Sequence, residues 1–215
     1  MSAGQARTWQ RSWGRLGRDL ADLPDGPLDT DAWFGRHAPV VLEIGSGMGE
    51  TTAALAAAAP EVNYLAVEVY QPGLAQLMMR AEALGLEHLR LVRGDAVALL
   101  AEHIAPAALA EVRIFFPDPW PKTKHHKRRL VRPDFVAMVA ARLAPGGRLR
   151  LATDWAPYAE EMMAVCAAEP ALRNVYPDLP GGWAPRPSWR GVTKFEGRAE
   201  AAGRVSRDLV FERSP

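Results

Sequence analysis

The stretch Val40-Val41-Leu42-Glu43-Ile44-Gly45-Ser46-Gly47-Met48-Gly49-Glu50 decides the fold. Val40 to Ile44 form a short apolar strand, the glycines at 45, 47 and 49 form a tight turn, and a helix opens at Thr51 and runs through alanines to Pro60. The alternation then repeats. A second strand, Asn63 to Val69, precedes a helix from about Pro72 to Leu84, and a third strand, Leu89 to Val92, precedes a helix from Ala96 to His103. A fourth strand covers Val112 to Phe116. Pro133 opens the next helix, Pro145-Gly146-Gly147 stops it, and a fifth strand runs from Arg148 to Thr153. A helix from about Pro157 to Ala168 and a last strand from Asp208 to Phe211 complete the series. Strands alternating with helices predict an α/β fold with a doubly wound, mostly parallel sheet.

Composition narrows the function by exclusion. The chain has 215 residues, 48% hydrophobic and 24% charged, with a net charge of +1, so any polyanion partner has to be recognised by local charge. Cys166 is the only cysteine. That excludes an intramolecular disulfide and a multi-cysteine metal site, fits a reducing cytoplasm, and reads most simply as a small buried apolar residue. No apolar run approaches the roughly 20 residues that span a bilayer, and the N-terminal arginines do not form a secretory signal. Within residues 1–39, Trp9 and Trp13, and Arg7, Arg11 and Arg15, recur every four residues. This predicts a basic amphipathic turn or two, either a solvated charged face or an RNA contact.

Three acids stand at the ends of consecutive strands. Glu43 lies inside the first strand, Glu68 ends the second and Asp95 follows the third. The dinucleotide fingerprint places its third glycine one position later, where this chain has Glu50, which disfavours NAD or FAD. An anion at Glu43 repels a pyrophosphate and suits an ammonium or sulfonium. Glu68 is placed to take both hydroxyls of a ribose, and Asp95 to reach an adenine amino group. Singly each acid reads as well as a solvated strand end. Together they resemble the pattern of class I S-adenosylmethionine-dependent methyltransferases.

A second focus is Phe116-Pro117-Asp118-Pro119-Trp120-Pro121-Lys122, running into Thr123-Lys124-His125-His126-Lys127-Arg128-Arg129. Prolines stop the strand, so Asp118 is presented on a stiffened turn at a strand end, where open α/β sheets keep ligands. The alternative reading is a turn-forming aspartate. Cations packed beside an aromatic and an acid fit phosphate neutralisation next to a base pocket. The histidine pair lacks partners at metal-ligand spacing.

Glu43–Glu50, Glu68-Val69-Tyr70-Gln71-Pro72-Gly73, Phe116–Lys122, Thr153-Asp154-Trp155 and Thr193-Lys194-Phe195-Glu196 resemble the bacterial tRNA (guanine-N7-)-methyltransferase family, from about Val40 to Phe211. The resemblance implies a Rossmann-like class I methyltransferase domain over residues 40–215, with an antiparallel C-terminal strand, behind a basic extension at 1–39. It implies S-adenosyl-L-methionine bound by Glu43, Gly45, Gly47, Gly49, Glu68, Asp95 and Asp118, with Asp118 catalytic and no metal. It further implies substrate contacts from Lys122, Asp154, Thr193, Lys194, Phe195 and Glu196, and RNA contacts from Lys124, His125, His126, Lys127, Arg128 and Arg129. The substrate would be the guanosine at position 46 in the tRNA variable loop, and the enzyme a cytoplasmic monomer or homodimer without membrane contact. Ala199 departs from the family, whose members usually carry glycine after the arginine matching Arg198.

Two rival activities and one non-catalytic reading stand beside this one. Exocyclic-amine methyltransferases typically follow their acid or asparagine with two prolines and an aromatic, and Asp118-Pro119-Trp120 lacks the second proline. A dehydrogenase is weakened by Glu50. An RNA-binding protein without catalysis would have no use for three acids on one rim.

Overall fold

The computed structural model describes residues 1–190 and 203–215, which fall into two units, Met1–Leu109 and Ala110–Pro215. Among the described residues the architecture is mixed α/β, with mostly parallel strands and antiparallel C-terminal ones.

In the first unit the strand order is β1 (Gly17–Asp19), β4 (Leu89–Arg93), β3 (Asn63–Glu68), β2 (Val40–Ile44), all parallel. All five residues of β2 and the first five of β3 are buried, including Glu43, as the continuous apolar runs of a covered parallel sheet require. The helices are α1 (Ala3–Leu16), α2 (Thr30–Phe34), α3 (Glu50–Ala58), α4 (Gln71–Ala83) and the short α5 (Ala96–Ala98), which continues as a π turn over Leu99–His103. Leu74, Leu77, Met78 and Ala81 of α4 are buried, as their helical spacing predicts, whereas Leu84, the last of that series, is the C-cap and is exposed.

The extent of α1 differs from the turn or two expected. It is fourteen residues long and begins with a capping box, in which Gln5 N–H donates to Ser2 Oγ at 3.2 Å and Ser2 N–H to Gln5 Oε1 at 2.7 Å. Its buried residues are Gln5, Thr8, Ser12 and Leu16, so it docks through mostly polar side chains. Gln5 Nε2 donates to Pro72 O and Gln76 Oε1 of α4, and Ser12 donates to Glu82. The chain then adds β1 alongside β4. Tertiary bonds, rather than an apolar stripe, fix this segment.

The second unit contributes β5 (Leu109–Phe115), β6 (Leu143–Thr153), β8 (Arg207–Arg213) and β7 (Leu172–Asn174), in that order, with β8 antiparallel to both β6 and β7. Its helices are α6 (Pro133–Arg142) and α7 (Ala156–Ala167). The basic loop carries a six-residue 3-10 turn, Thr123–Arg128. Cys166 is buried on α7, and burial pushes its thiol up to about 12, which makes it an inert core residue. No helix among the described residues is long and apolar enough to cross a membrane.

Candidate active site

Each unit carries its own set of candidate groups. In the first, parallel register brings Glu43, Glu68 and Asp95 to the C-terminal rim of three adjacent strands. Glu43 is only 4% exposed, and its Oε1 accepts a hydrogen bond from Thr52 Oγ1 at 2.9 Å. Nothing in the sequence pattern singles out Thr52. It is fully buried one turn into α3, where it orients the Glu43 carboxylate. Glu68 is half-buried and ties the glycine turn to the strand end. Its Oε2 accepts from Gly47 N–H at 2.9 Å, and its Oε1 accepts from Val69 N–H at 2.7 Å and Tyr70 N–H at 2.9 Å. A carboxylate offers about four lone-pair sites, so Glu68 keeps capacity for one further donor. Asp95 is exposed and caps α5 through Oδ1, which accepts from Ala98 N–H at 3.0 Å.

Two glycines allow the closeness of this turn to α4. Gly49 has φ +71°, and a Cβ there would lie 2.5 Å from Leu77 Cβ. A Cβ on Gly73 would lie 2.1 Å from Gly47 O. The glycine turn and the start of α4 thus form one cradle, with no room for a methyl group at Gly49 or Gly73. A buried carboxylate beside a small-residue cradle fits an adenosyl sulfonium with an amino-acid tail. Among the described residues no group of three or more His, Cys, Asp or Glu side chains gathers as metal ligands.

In the second unit the chain leaves β5 through Phe116 and Trp120, which have φ of 53° and 42°, bracketing Pro117-Asp118-Pro119. Left-handed backbone at bulky residues costs on the order of 1–3 kcal/mol each and persists only where neighbours impose it. Those neighbours are visible. Phe116 N–H donates to Ala152 O at 2.7 Å, joining the end of β5 to β6. Arg190, 1% exposed, places its guanidinium over the rings of Phe115 and Phe116 at 5.5 and 5.3 Å, and binds Asp208 through both carboxylate oxygens at 3.1 and 2.8 Å. At the far end, Arg129 Nε donates to Pro119 O at 2.9 Å, Nη1 pairs with Glu161, and the guanidinium lies 4.7 Å over Tyr158.

Asp118 is exposed at the centre of this turn. Asp118 and Asp154 each stand two residues beyond the Phe116–Ala152 bond, and Asp154 Oδ2 accepts from Arg204 Nε at 2.7 Å. Lys122, Lys124, Lys127 and Arg128 are exposed, and His125 and His126 are half-buried. Arg128 sits 4.9 Å over Trp120, and the His125 ring lies 5.9 Å from that indole. Arg129 differs from its neighbours in the run. At 2% exposure it is turned inward, with Nε bonded to Pro119 O and Nη1 to Glu161, so it braces the turn. Thr193, Lys194, Phe195 and Glu196 lie outside the described residues.

A protein-family model described as "Putative methyltransferase" matches residues 37–209. Relatives named tRNA (guanine-N(7)-)-methyltransferase from Nocardia farcinica and Streptomyces coelicolor are 51% and 49% identical over 98% and 99% of this chain, and 80% and 77% of their own lengths. The chain belongs to the tRNA (guanine-N7-)-methyltransferase family. It is therefore a methyltransferase, and its fold agrees with solved ones. The 16S rRNA methyltransferase KamB superposes with a TM-score of 0.59 at 17% identity, over 92% of this chain and 99% of that one. TrmN from Thermus thermophilus gives 0.51 at 24% identity, over 82% and 44%.

Proposed function

We propose that the protein transfers a methyl group from S-adenosyl-L-methionine to N7 of the guanosine at position 46 in the variable loop of tRNA. The observation that carries this reading is similarity over nearly the whole of this chain, at about half identity, to relatives named tRNA (guanine-N(7)-)-methyltransferase. S-adenosylmethionine, when bound, supplies an electrophilic methyl group. Glu43, oriented by Thr52, faces its positive charge, the turn containing Gly45, Gly47 and Gly49 cradles it, and Glu68 and Asp95 hold the ribose and the adenine. Asp118 completes the donor contacts.

The N7 lone pair of guanine lies in the ring plane and carries no proton. Attack on a methyl group therefore needs no general base, and much of the acceleration comes from holding the reactants in line, worth several kcal/mol. Methylation makes the purine cationic and acidifies its Watson–Crick donors. A carboxylate accepting those hydrogen bonds binds the transition state more strongly than the ground state. Asp118 and Asp154 are the two candidates, and Asp118 is the one on the braced turn. Lys122, Lys124, His125, His126, Lys127 and Arg128 meet phosphate, Arg129 holds Pro119 in place, and Thr193, Lys194, Phe195 and Glu196 contact the substrate by the family's pattern. With tRNA as partner the protein works in the cytoplasm, as a monomer or a homodimer.

Incubation with labelled S-adenosylmethionine and unmodified bulk tRNA, followed by nucleoside analysis, is expected to place the label in 7-methylguanosine. Label in an exocyclic amine, or none in RNA, overturns the reading. The loop makes a separate prediction. Replacing Lys124, Lys127 and Arg128 together by alanine should flatten the salt dependence of tRNA binding by roughly two in log–log slope, at about 0.7–0.9 for each phosphate no longer neutralised. Donor affinity should be unchanged in calorimetry. An unaltered slope would mean that the loop does not touch phosphate.

A further inference from the structure

We propose that the outward face of α1 is a second contact for the RNA phosphate backbone, separate from the basic loop; this rests on tRNA being the substrate. Residues 1–18 contain Arg7, Arg11, Arg15 and Arg18 and no acid. The polar inner face of α1 fixes its rotation against α4, so Arg7, Arg11 and Arg15, spaced one turn apart, are held exposed on the other side. Arg11 is neutralised by Glu82. Among the described residues neither Arg7 nor Arg15 has an ion-pair partner.

Glu82, paired with Arg11, also attracts Arg15, but further arginines stand close by. Arg18 binds the carbonyls of Gly14 and Gly17 and lies 5.9 Å over Trp33, which fixes it at the end of the helix. Arg90 of β4 is held nearby by bonds to Trp33 O and Glu87 O. Burial first, and then repulsion from Arg15 and Arg18, lowers the Arg90 guanidinium below its ordinary value, and Glu87 only partly opposes this. Like charges gathered with few acids among them raise the energy of the free protein, and a polyanion relieves that cost on binding. The ridge is also stiff. Trp9 and Trp13 stack at 4.0 Å with planes 17° apart, and Arg93, paired with Asp19, lies 5.6 Å over Trp9.

Binding of the full-length protein to unmodified tRNA should be titrated across a salt series, for the wild type, for Arg7→Gln with Arg15→Gln, and for Arg7→Lys with Arg15→Lys. With two phosphates left unneutralised, at about 0.7–0.9 each, the log–log slope of the glutamine variant is expected to be shallower by about 1.5. The lysine variant should keep the wild-type slope, and melting temperature and S-adenosylmethionine affinity should be unchanged in both. A glutamine variant with the wild-type slope overturns the α1 contact while leaving the methyltransferase reading intact. A wild type that neither binds nor modifies tRNA overturns both.

Discussion

Asp118→Asn is expected to lower turnover by roughly a hundredfold or more while leaving the protein folded. That is the scale of removing one preorganised electrostatic interaction at a reacting centre. Asparagine keeps the shape and the turn but removes the charge that, on the proposed mechanism, stabilises the cation developing on guanine. The size of the effect depends on how well the carboxylate is held, and here two prolines, two left-handed residues, and arginines at both ends hold it. Single-turnover methyl transfer compared with melting temperature gives the answer, and near-normal turnover in a folded Asp118→Asn protein would refute the assignment. Asp154→Asn is the natural companion. It disturbs the pair with Arg204, so its cost should fall more on substrate binding than on the methyl-transfer step.

The second large effect is on stability. Asp208→Ala removes the carboxylate that faces Arg190 in the interior, where the two side chains are 6% and 0% exposed. Breaking a buried pair from one side costs about 3–5 kcal/mol. For a chain of this size that corresponds to a melting temperature lower by about 10 °C. Because Arg190 also stacks on Phe115 and Phe116, the turn that carries Asp118 should loosen before the protein unfolds. Thermal melts of Asp208→Ala, and of a double variant with Arg190→Met and Asp208→Leu, test this. The double variant should recover much of the stability, since apolar residues can replace a buried pair. A melting temperature of Asp208→Ala equal to wild type would show that the pair contributes nothing.

The parallel core was legible because β2, β3 and β4 are apolar runs separated by strong turn signals, and the structure reproduces those elements to within a residue or two. The N-terminal segment was not. Pattern reading looks for an apolar stripe, and the inner face of α1 is Gln5, Thr8 and Ser12, whose partners Pro72, Gln76 and Glu82 lie about seventy residues away. Strands β1 and β7 have three residues each, too few to show a period. At the candidate site the acids could be found because they sit at strand ends. Thr52, Arg129 and Arg190 could not. In Lys127-Arg128-Arg129 nothing local marks the last cation as the buried one; Glu161 and Tyr158, some thirty residues on, make it so.

That adjacency has a consequence for how this loop can vary. Arg128 is exposed and Arg129 is turned inward, so inserting a single residue between Pro119 and Lys127 would move Arg128 into the buried place, and deleting one would move Leu130 there. An exposed, highly charged loop ordinarily tolerates changes of length. This one is pinned at both ends of a ten-residue span, and its length should be as constrained as that of a core helix.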